Sequence, residues 1–368
     1  MPRISGFATA DGTRRYAQRF PHAASDHFRQ RYGLWMSSLG LGGYLGAPTE
    51  SVSQGYVTSM VAALGAGCNV IDTAPNYRHL RSEQDVGDAL VQAIEQGIIQ
   101  RDEVIVCTKG GYVPYEWPTE SRPPDAVNGT HSLDAAFLTG QIRASLHRMG
   151  LDCIDIYFVQ EPEIQLYTLT PGEFMQRLRS VFETLEEEVR AGRIRFYGAA
   201  CSHGLLTDTG DPAHLPLYKM VQVAEAVAGA NHHFRFLQFP YHLGMAGAFV
   251  QANQLVKRQG NKQVDRIRMS LLAAAVQLGM VSITCGGLAQ GLLGEEIPEG
   301  NGRRWAAQVT RLMGTRATPA QAALHFARST PGLTTALVSM STPTHVAENL
   351  ALVNLPSVDQ DRFFKLFE

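Results

Sequence analysis

Four residues of this chain have the types that proton chemistry at an oxygen atom requires: an acid, Asp72, a phenol, Tyr77, an amine, Lys109, and an amide, Gln160. Each stands at the end of a short apolar run or just past it. Asp72 lies in "NVIDTA" (69–74), Lys109 closes "EVIVCTK" (103–109) and Gln160 closes "CIDIYFVQ" (153–160), while Tyr77 follows Asp72 by five residues. An ammonium in an apolar mouth needs a carboxylate partner, and Asp72 can supply it. A phenol beside that ammonium has its anion stabilised, so its pKa is expected to fall from about 10 toward useful values. Such a tyrosine can exchange a proton with a carbonyl or alcohol oxygen while hydride moves elsewhere. Taken singly, each residue has a plainer reading: a helix cap for Asp72, an amine reaching solvent for Lys109, a packed ring for Tyr77, a strand-end hydrogen bonder for Gln160. Their joint placement is what points to chemistry.

The elements that must position them recur with a rhythm. Eight short β-rich runs appear, near 38–44 and at 69–74, 103–109, 153–160, 194–201, 234–241, 280–287 and 334–340. Segments of helical period separate them, several ending in Gly. Eight strand–helix pairs are the count for an α/β fold of the (β/α)8 TIM-barrel type, in which polar residues at the C-terminal ends of strands carry the chemistry. "GLGGYLG" imitates a dinucleotide fingerprint with Gly40 and Gly42, but Leu45 stands at its third position, which speaks against a doubly wound sheet. Residues 1–30 read as an N-terminal extension, either covering the barrel bottom or standing free, and 31–368 as a single barrel domain. Two stretches break the rhythm, near 112–131 and 242–266, and both fall where substrate loops belong.

Composition narrows the function classes. The 368 residues carry a formal net charge of -2 and 45% apolar residues, with no long run of like charges. That argues against a nucleic-acid surface or a membrane anchor. No uncharged apolar stretch reaches about 18 residues, and the N-terminus lacks an apolar signal region. Five cysteines, none in a CxxC pair, read as free thiols in a reducing cytoplasm. His232, His233 and His242 have no Asp, Glu or Cys at ligand spacing, so they read as surface or loop histidines and no metal is expected.

The motifs that hold the four residues resemble those of the aldo-keto reductase family. "NVIDTAPNYRHLRSEQDVGDAL" is similar to its "FDTAxxYGxGxSEExLGxAL" signature, and "VIVCTKGG" to its lysine strand. "MGLDCIDIYFVQEPE" is similar to "LGLDYIDLYLLHxPE", and "GRIRFYGAACS" to "GKIRxIGVSNF". "LAQGLLG" and "STPTHVAENLAL" match two further segments. The resemblance runs from about residue 34 to 352 and implies Asp72, Tyr77 and Lys109 as catalytic residues. Gln160 stands where the family usually has a histidine. An amide can donate the same hydrogen bond to a carbonyl but cannot titrate or relay a proton. Gln160 is therefore expected to orient substrate, with Tyr77 as the only proton donor at the mouth. Glu161 and Glu163 read as loop carboxylates.

The resemblance also implies a nicotinamide cofactor. It places Gly42, Gly43, Ala200, Cys201, Gln238, Cys285 and Gly286 around the nicotinamide half, with Gln238 as a carboxamide contact. Ala200 and Cys201 replace a Ser-Asn pair, and Cys285 and Gly286 replace a Tyr-Ser pair, as in the branch that resembles L-galactose dehydrogenase. Leu288, Gln290, Gly291 and Leu292 fall at the pyrophosphate. Ser339, Met340, Ser341, His345, Glu348 and Asn349 fall at the adenosine end. Ser339 and His345 stand where NADP-preferring members often have Lys and Arg, so of NAD and NADP the reading favours NAD. A sugar or small aldehyde is the expected substrate. Two rival readings remain open: a low-turnover regulatory module that keeps the barrel and its cofactor, motivated by Gln160, and a Schiff-base lyase using Lys109. Oligomeric state is not legible.

Overall fold

The computed structural model describes residues 3–259, 264–297, 299–314 and 317–368. Two short strands come first, β1 (Phe28–Arg31) and β2 (Leu34–Ser37), after helix α1 (Ala10–Gln18). The repeating part then runs β3 (Leu39–Gly42), α2 (Glu50–Gly65), β4 (Val70–Asp72), α3 (Arg81–Glu95), β5 (Ile105–Gly110), α4 (Ala135–Met149), β6 (Ile154–Gln160), α5 (Pro171–Arg190), β7 (Ile194–Ala200), α6 (Leu217–Ala228) and β8 (Phe234–Pro240). Beyond it lie α7 (Gly247–Val250), β9 (Gln254–Gln259), β10 (Val264–Met269), α8 (Leu271–Gln277) and β11 (Val281–Cys285). The chain ends through α9 (Leu292–Glu295), α10 (Asn301–Met313), α11 (Pro319–Ser329), β12 (Leu333–Val338), α12 (Pro343–Leu350) and α13 (Gln360–Phe364).

Eight parallel strands close a barrel in the order β11-β12-β3-β4-β5-β6-β7-β8. These are the eight β-rich runs of the sequence, each in its expected place. Strands β5, β6 and β12 are buried at every position, which is why they read as continuous apolar runs rather than alternating ones. The helices start where their sequences direct. Thr170-Pro171 with Glu173, and Thr318-Pro319 with Gln321, form capping boxes on α5 and α11. Asp134 caps α4, which stops at Gly150 in the left-handed region.

The inside of the barrel is filled by Val70, Ile105, Ile156, Phe158, Phe236, Ile283 and Leu337, and Ala8, Leu34 and Met36 join that same cluster. The N-terminal segment therefore packs against the barrel interior from below. β1 and β2 form a hairpin turned by Tyr32 and Gly33, both at positive φ. The backbone amide of Ala8 donates to Asp155 at 2.6 Å, and Arg101 pairs with the same carboxylate at 2.8 Å.

On the other face, the loop after β5 runs through one short 3-10 turn at Thr119–Ser121. The segment after β8 holds an antiparallel ribbon, β9 with β10, not anticipated from its charge-rich sequence. Gln254 ties it to the body by donating to the carbonyl of Leu205 and accepting from the amide of Leu217.

Candidate active site

All eight barrel strands end around one cavity of about 420 Å³, the size of a small-molecule site. Its wall includes Gly42 from β3, Asp72 from β4, Tyr112 after β5, Gln160 from β6, Cys201 after β7, Pro240 from β8, Cys285 from β11 and Val338 from β12. Tyr77, Gly286, Leu288, Gln290, Gly291 and Ser339 complete the expected residues that line it.

Lys109 lies behind that wall, 1% exposed, with both oxygens of Asp72 at 2.7 and 2.6 Å from its Nζ and the carbonyl of Thr73 at 3.0 Å. The same ammonium stands 4.9 Å from the centre of the Tyr77 ring. Burial works against the charge on Lys109, but Asp72 and the Tyr77 phenol outweigh it and hold its pKa above the ordinary value. For Tyr77 the balance goes the other way. Burial is the largest effect and pushes its pKa up, Lys109 pulls it down by less, and Asp72 and Cys285 add to the rise. This corrects the expectation of a lowered phenol: desolvation of the anion exceeds the pull of one ammonium already shared with a carboxylate.

Gln238, which the resemblance implies as a carboxamide contact, reaches Asp72. It is 2% exposed, is not among the lining residues, and its amide donates to Asp72 Oδ1 at 2.8 Å. Asp72 is thereby held by two side chains from two other strands. Gly43 is a point of close approach: a Cβ there would sit 2.3 Å from Ser82 Oγ. Its carbonyl accepts from Ser82 at 2.9 Å and Arg78 at 3.2 Å. Arg78, His79 and Leu80 all take positive φ, and the buried pair of Arg78 with Asp85 at 2.5 Å holds this turn immediately after Tyr77.

Gln160 is 7% exposed and its side-chain oxygen has no protein partner. Its backbone carbonyl accepts from the buried His131 at 2.8 Å, and His131 Nδ1 accepts from Gln165 at 3.0 Å. Gly111 permits that packing: at φ +138, a Cβ would come 2.8 Å from the Gln160 carbonyl oxygen. Sequence reasoning missed Tyr44, Asn76, Tyr112, Glu161 and Ser202, all of which line the cavity. Tyr44 and Tyr112 are further phenols lining the cavity, so Tyr77 is not the only one; Tyr112 comes just after β5. Its hydroxyl is committed to Glu161 at 2.5 Å, and burial followed by that carboxylate raises its pKa.

Ala200, Leu292, Met340, Ser341, His345, Glu348 and Asn349 are not among the lining residues. Met340 is fully buried. The His345 amide donates to Thr342 Oγ1 at 3.3 Å, and Glu348 accepts from Thr318 at 2.6 Å. Asn349 is 3% exposed with an unpartnered side-chain oxygen. All five cysteines are free. Among the described residues no group of three His, Cys, Asp or Glu could hold a metal. His233 pairs with Glu186 at 2.8 Å, while His232 is buried in the loop before β8. Among the described residues no helix is long and apolar enough to cross a membrane.

Residues 38–203 match the model of the aldo/keto reductase family. An NADH-specific methylglyoxal reductase of Escherichia coli (strain K12) is 28% identical over 186 residues, covering 50% of this chain and 52% of that protein. A 2,5-diketo-D-gluconic acid reductase B of Corynebacterium sp. is 28% identical over 144 residues, covering 39% of this chain and 40% of that protein. The chain thus spans about half or less of the length of these relatives. An aldo/keto reductase of Klebsiella pneumoniae, solved with NADP and acetate, superposes with a TM-score of 0.60 at 20% identity, over 93% of this chain and 94% of that one. An aldo-keto reductase of Bacillus halodurans in its holo form gives 0.61 at 19%, over 94% and 96%. At such identities the likeness is one of fold.

Proposed function

The chain carries an aldo/keto reductase family domain, and we propose on that premise that it is an oxidoreductase moving hydride between a nicotinamide dinucleotide and the carbonyl or alcohol carbon of a sugar or small aldehyde. The observation that carries this reading is the buried Lys109–Asp72 pair at 2.6 Å beneath the Tyr77 ring, at the wall of the one cavity on which all eight strands converge.

A nicotinamide, when bound, would supply the hydride in reduction and accept it in oxidation. In reduction Tyr77 gives its proton to the substrate oxygen. Lys109 stabilises the phenolate so formed, and Asp72, held by Gln238, keeps Lys109 charged and in place. Gln160 orients the substrate oxygen through its amide N–H; its side-chain oxygen, left without a protein partner, is free to accept from a substrate hydroxyl. In oxidation the same groups run in reverse, and the phenolate takes the alcohol proton.

The residues present suit a dinucleotide. Gly42, Cys285, Gly286, Leu288, Gln290, Gly291 and Ser339 form a continuous part of the cavity wall. Gly286 and Gly291 hold positive φ with open space beside them. Among the described residues no Lys or Arg lines the cavity, which with Ser339 and His345 favours NAD over NADP. The relative named for NADH specificity is in line with that preference.

Fluorescence titration with NADH and NADPH, followed by turnover on a carbonyl and sugar panel, tests the reading. Equal or tighter NADPH binding overturns the cofactor preference. Firm cofactor retention with no turnover on any member of the panel moves the assignment to the regulatory module.

A further inference from the structure

We infer that Glu161 is a specificity-determining residue, selecting carbonyl substrates that carry hydroxyl groups close to the carbonyl and rejecting those that carry a carboxylate there. This rests on the oxidoreductase reading and names its substrate class.

Among the described residues two charged side chains line the cavity, Asp72 and Glu161. Asp72 is neutralised by Lys109. Glu161 has no cation within salt-bridge distance among the described residues, so it sets the sign of the field that an entering substrate meets. Its two oxygens are aimed: Oε2 accepts from the Tyr112 hydroxyl at 2.5 Å and Oε1 from the Ser202 hydroxyl at 2.6 Å. Each oxygen keeps acceptor capacity for one more donor. Ser202 is itself fixed from below. Glu163 Oε1, fully buried, accepts from the backbone amides of Ser202, His203 and Gly204 at 2.8, 3.0 and 3.1 Å.

The backbone at Glu161 is left-handed, with φ 44 and ψ 54. A residue with a side chain holds that conformation at a cost of about 1 kcal/mol or more, and only where its surroundings enforce it. Here the amide of Glu161 is locked to the carbonyl of Ala200 at 2.6 Å. Residue 161 follows the amide that orients the reacting oxygen, so its carboxylate meets atoms near the carbonyl carbon. Hydroxyls on those atoms donate to it. A carboxylate there faces like charge in a partly desolvated site, which is strongly disfavoured. Tyr44, half-exposed and edge-on to Tyr77 with ring centres 4.9 Å apart, offers an aromatic face for the C–H side of a polyol.

The test uses the full chain with saturating NADH and three aldehydes: glyceraldehyde with two hydroxyls, propanal with none, and 4-oxobutanoate with a carboxylate. The wild type is expected to favour glyceraldehyde over 4-oxobutanoate in kcat/KM. Glu161→Gln keeps the size and removes the charge; it should shift that ratio toward 4-oxobutanoate by about tenfold or more. Ser202→Ala, which removes the donor to one carboxylate oxygen without touching the charge, should raise KM for glyceraldehyde by a larger factor than KM for propanal; equal factors for the two count against the inference. A folded, active E161Q protein whose ratio moves less than about twofold, or a wild type that prefers 4-oxobutanoate, overturns the inference while the oxidoreductase reading stands. Absence of quenching by both NADH and NADPH, or of turnover on all three aldehydes and on the wider carbonyl and sugar panel, in the wild type overturns that reading itself, and this one with it.

Discussion

Gln238 donates its side-chain amide to Oδ1 of Asp72 at 2.8 Å, the oxygen that also takes a bond from Lys109 at 2.7 Å. One carboxylate is thus gripped from β5 and β8 at once, and Lys109 is kept pointing at Tyr77 by a partner that cannot turn away. Gln238→Leu removes one grip and leaves Asp72 short of a donor in a buried place. The expected result is a stability loss of about 1–3 kcal/mol, read by thermal melts, with kcat lowered more than cofactor affinity. Unchanged melting and kcat would show that Lys109 alone orients the carboxylate.

Tyr77→Phe and Lys109→Met separate chemistry from stability. Phenylalanine keeps the ring against Tyr44 and removes only the exchangeable proton. It should lower kcat by about 10²- to 10⁴-fold with cofactor quenching and melting temperature unchanged. Methionine strands Asp72 as an unpaired buried charge and should cost about 3–5 kcal/mol of stability besides the activity. A Tyr77→Phe protein retaining most of its kcat would remove the phenol from the mechanism.

How much of this was legible in the sequence follows from which forces set each feature. The eight strands could be read because strands buried on both faces leave unbroken apolar runs, as in "CIDIYFV". Asp72, Lys109 and Gln160 could be placed because a barrel puts the ends of its strands at one mouth. The direction of the Tyr77 shift could not, because it depends on how completely the phenol is desolvated, a property of packing rather than of neighbours in sequence. Glu161 read as a loop carboxylate for a similar reason. Its partners, Tyr112 and Ser202, lie 49 and 41 residues away, on the loops after β5 and β7. That Gln238 also holds Asp72 was not legible, because the two lie 166 residues apart and meet only where the strands converge.

The raised pKa of Tyr77 sets opposite pH dependences for the two directions. A raised pKa means that the protonated phenol persists to higher pH. Reduction, which needs the phenol, should be flat in kcat from about pH 6 to 9. Oxidation needs the phenolate, whose fraction grows about tenfold per pH unit below the pKa, so kcat for an alcohol should climb across that range. Initial rates in both directions over matched buffers measure this. A reduction rate that already falls by half near pH 8 would place the phenol's pKa far lower than the packing implies.

Stability should fall in acid through a different set of groups. His27 is fully buried in the N-terminal segment, its ring nitrogens 2.9 Å from Ser38 Oγ and 2.8 Å from the Gly67 carbonyl. Burial, with Arg328 and Arg29 nearby, pushes its pKa down to about 4. His232 is likewise pushed down to about 4 and His325 to about 3, chiefly by burial. In the unfolded chain each titrates near about 6.5. Between that value and the folded one the unfolded state binds more protons, so stability rises with pH there and is lost as pH falls. For His27 the full effect is about 3 kcal/mol, complete near pH 4 and absent above about pH 7. Melting curves at steps from pH 7.5 to 4.5 should show the decline in the wild type. His27→Gln keeps a donor for the Gly67 carbonyl but cannot take up a proton; it should melt lower at pH 7.5 yet lose less on acidification. Parallel declines in the two proteins would mean that His27 is protonated as readily in the fold as outside it, and that the N-terminal segment opens to water in acid.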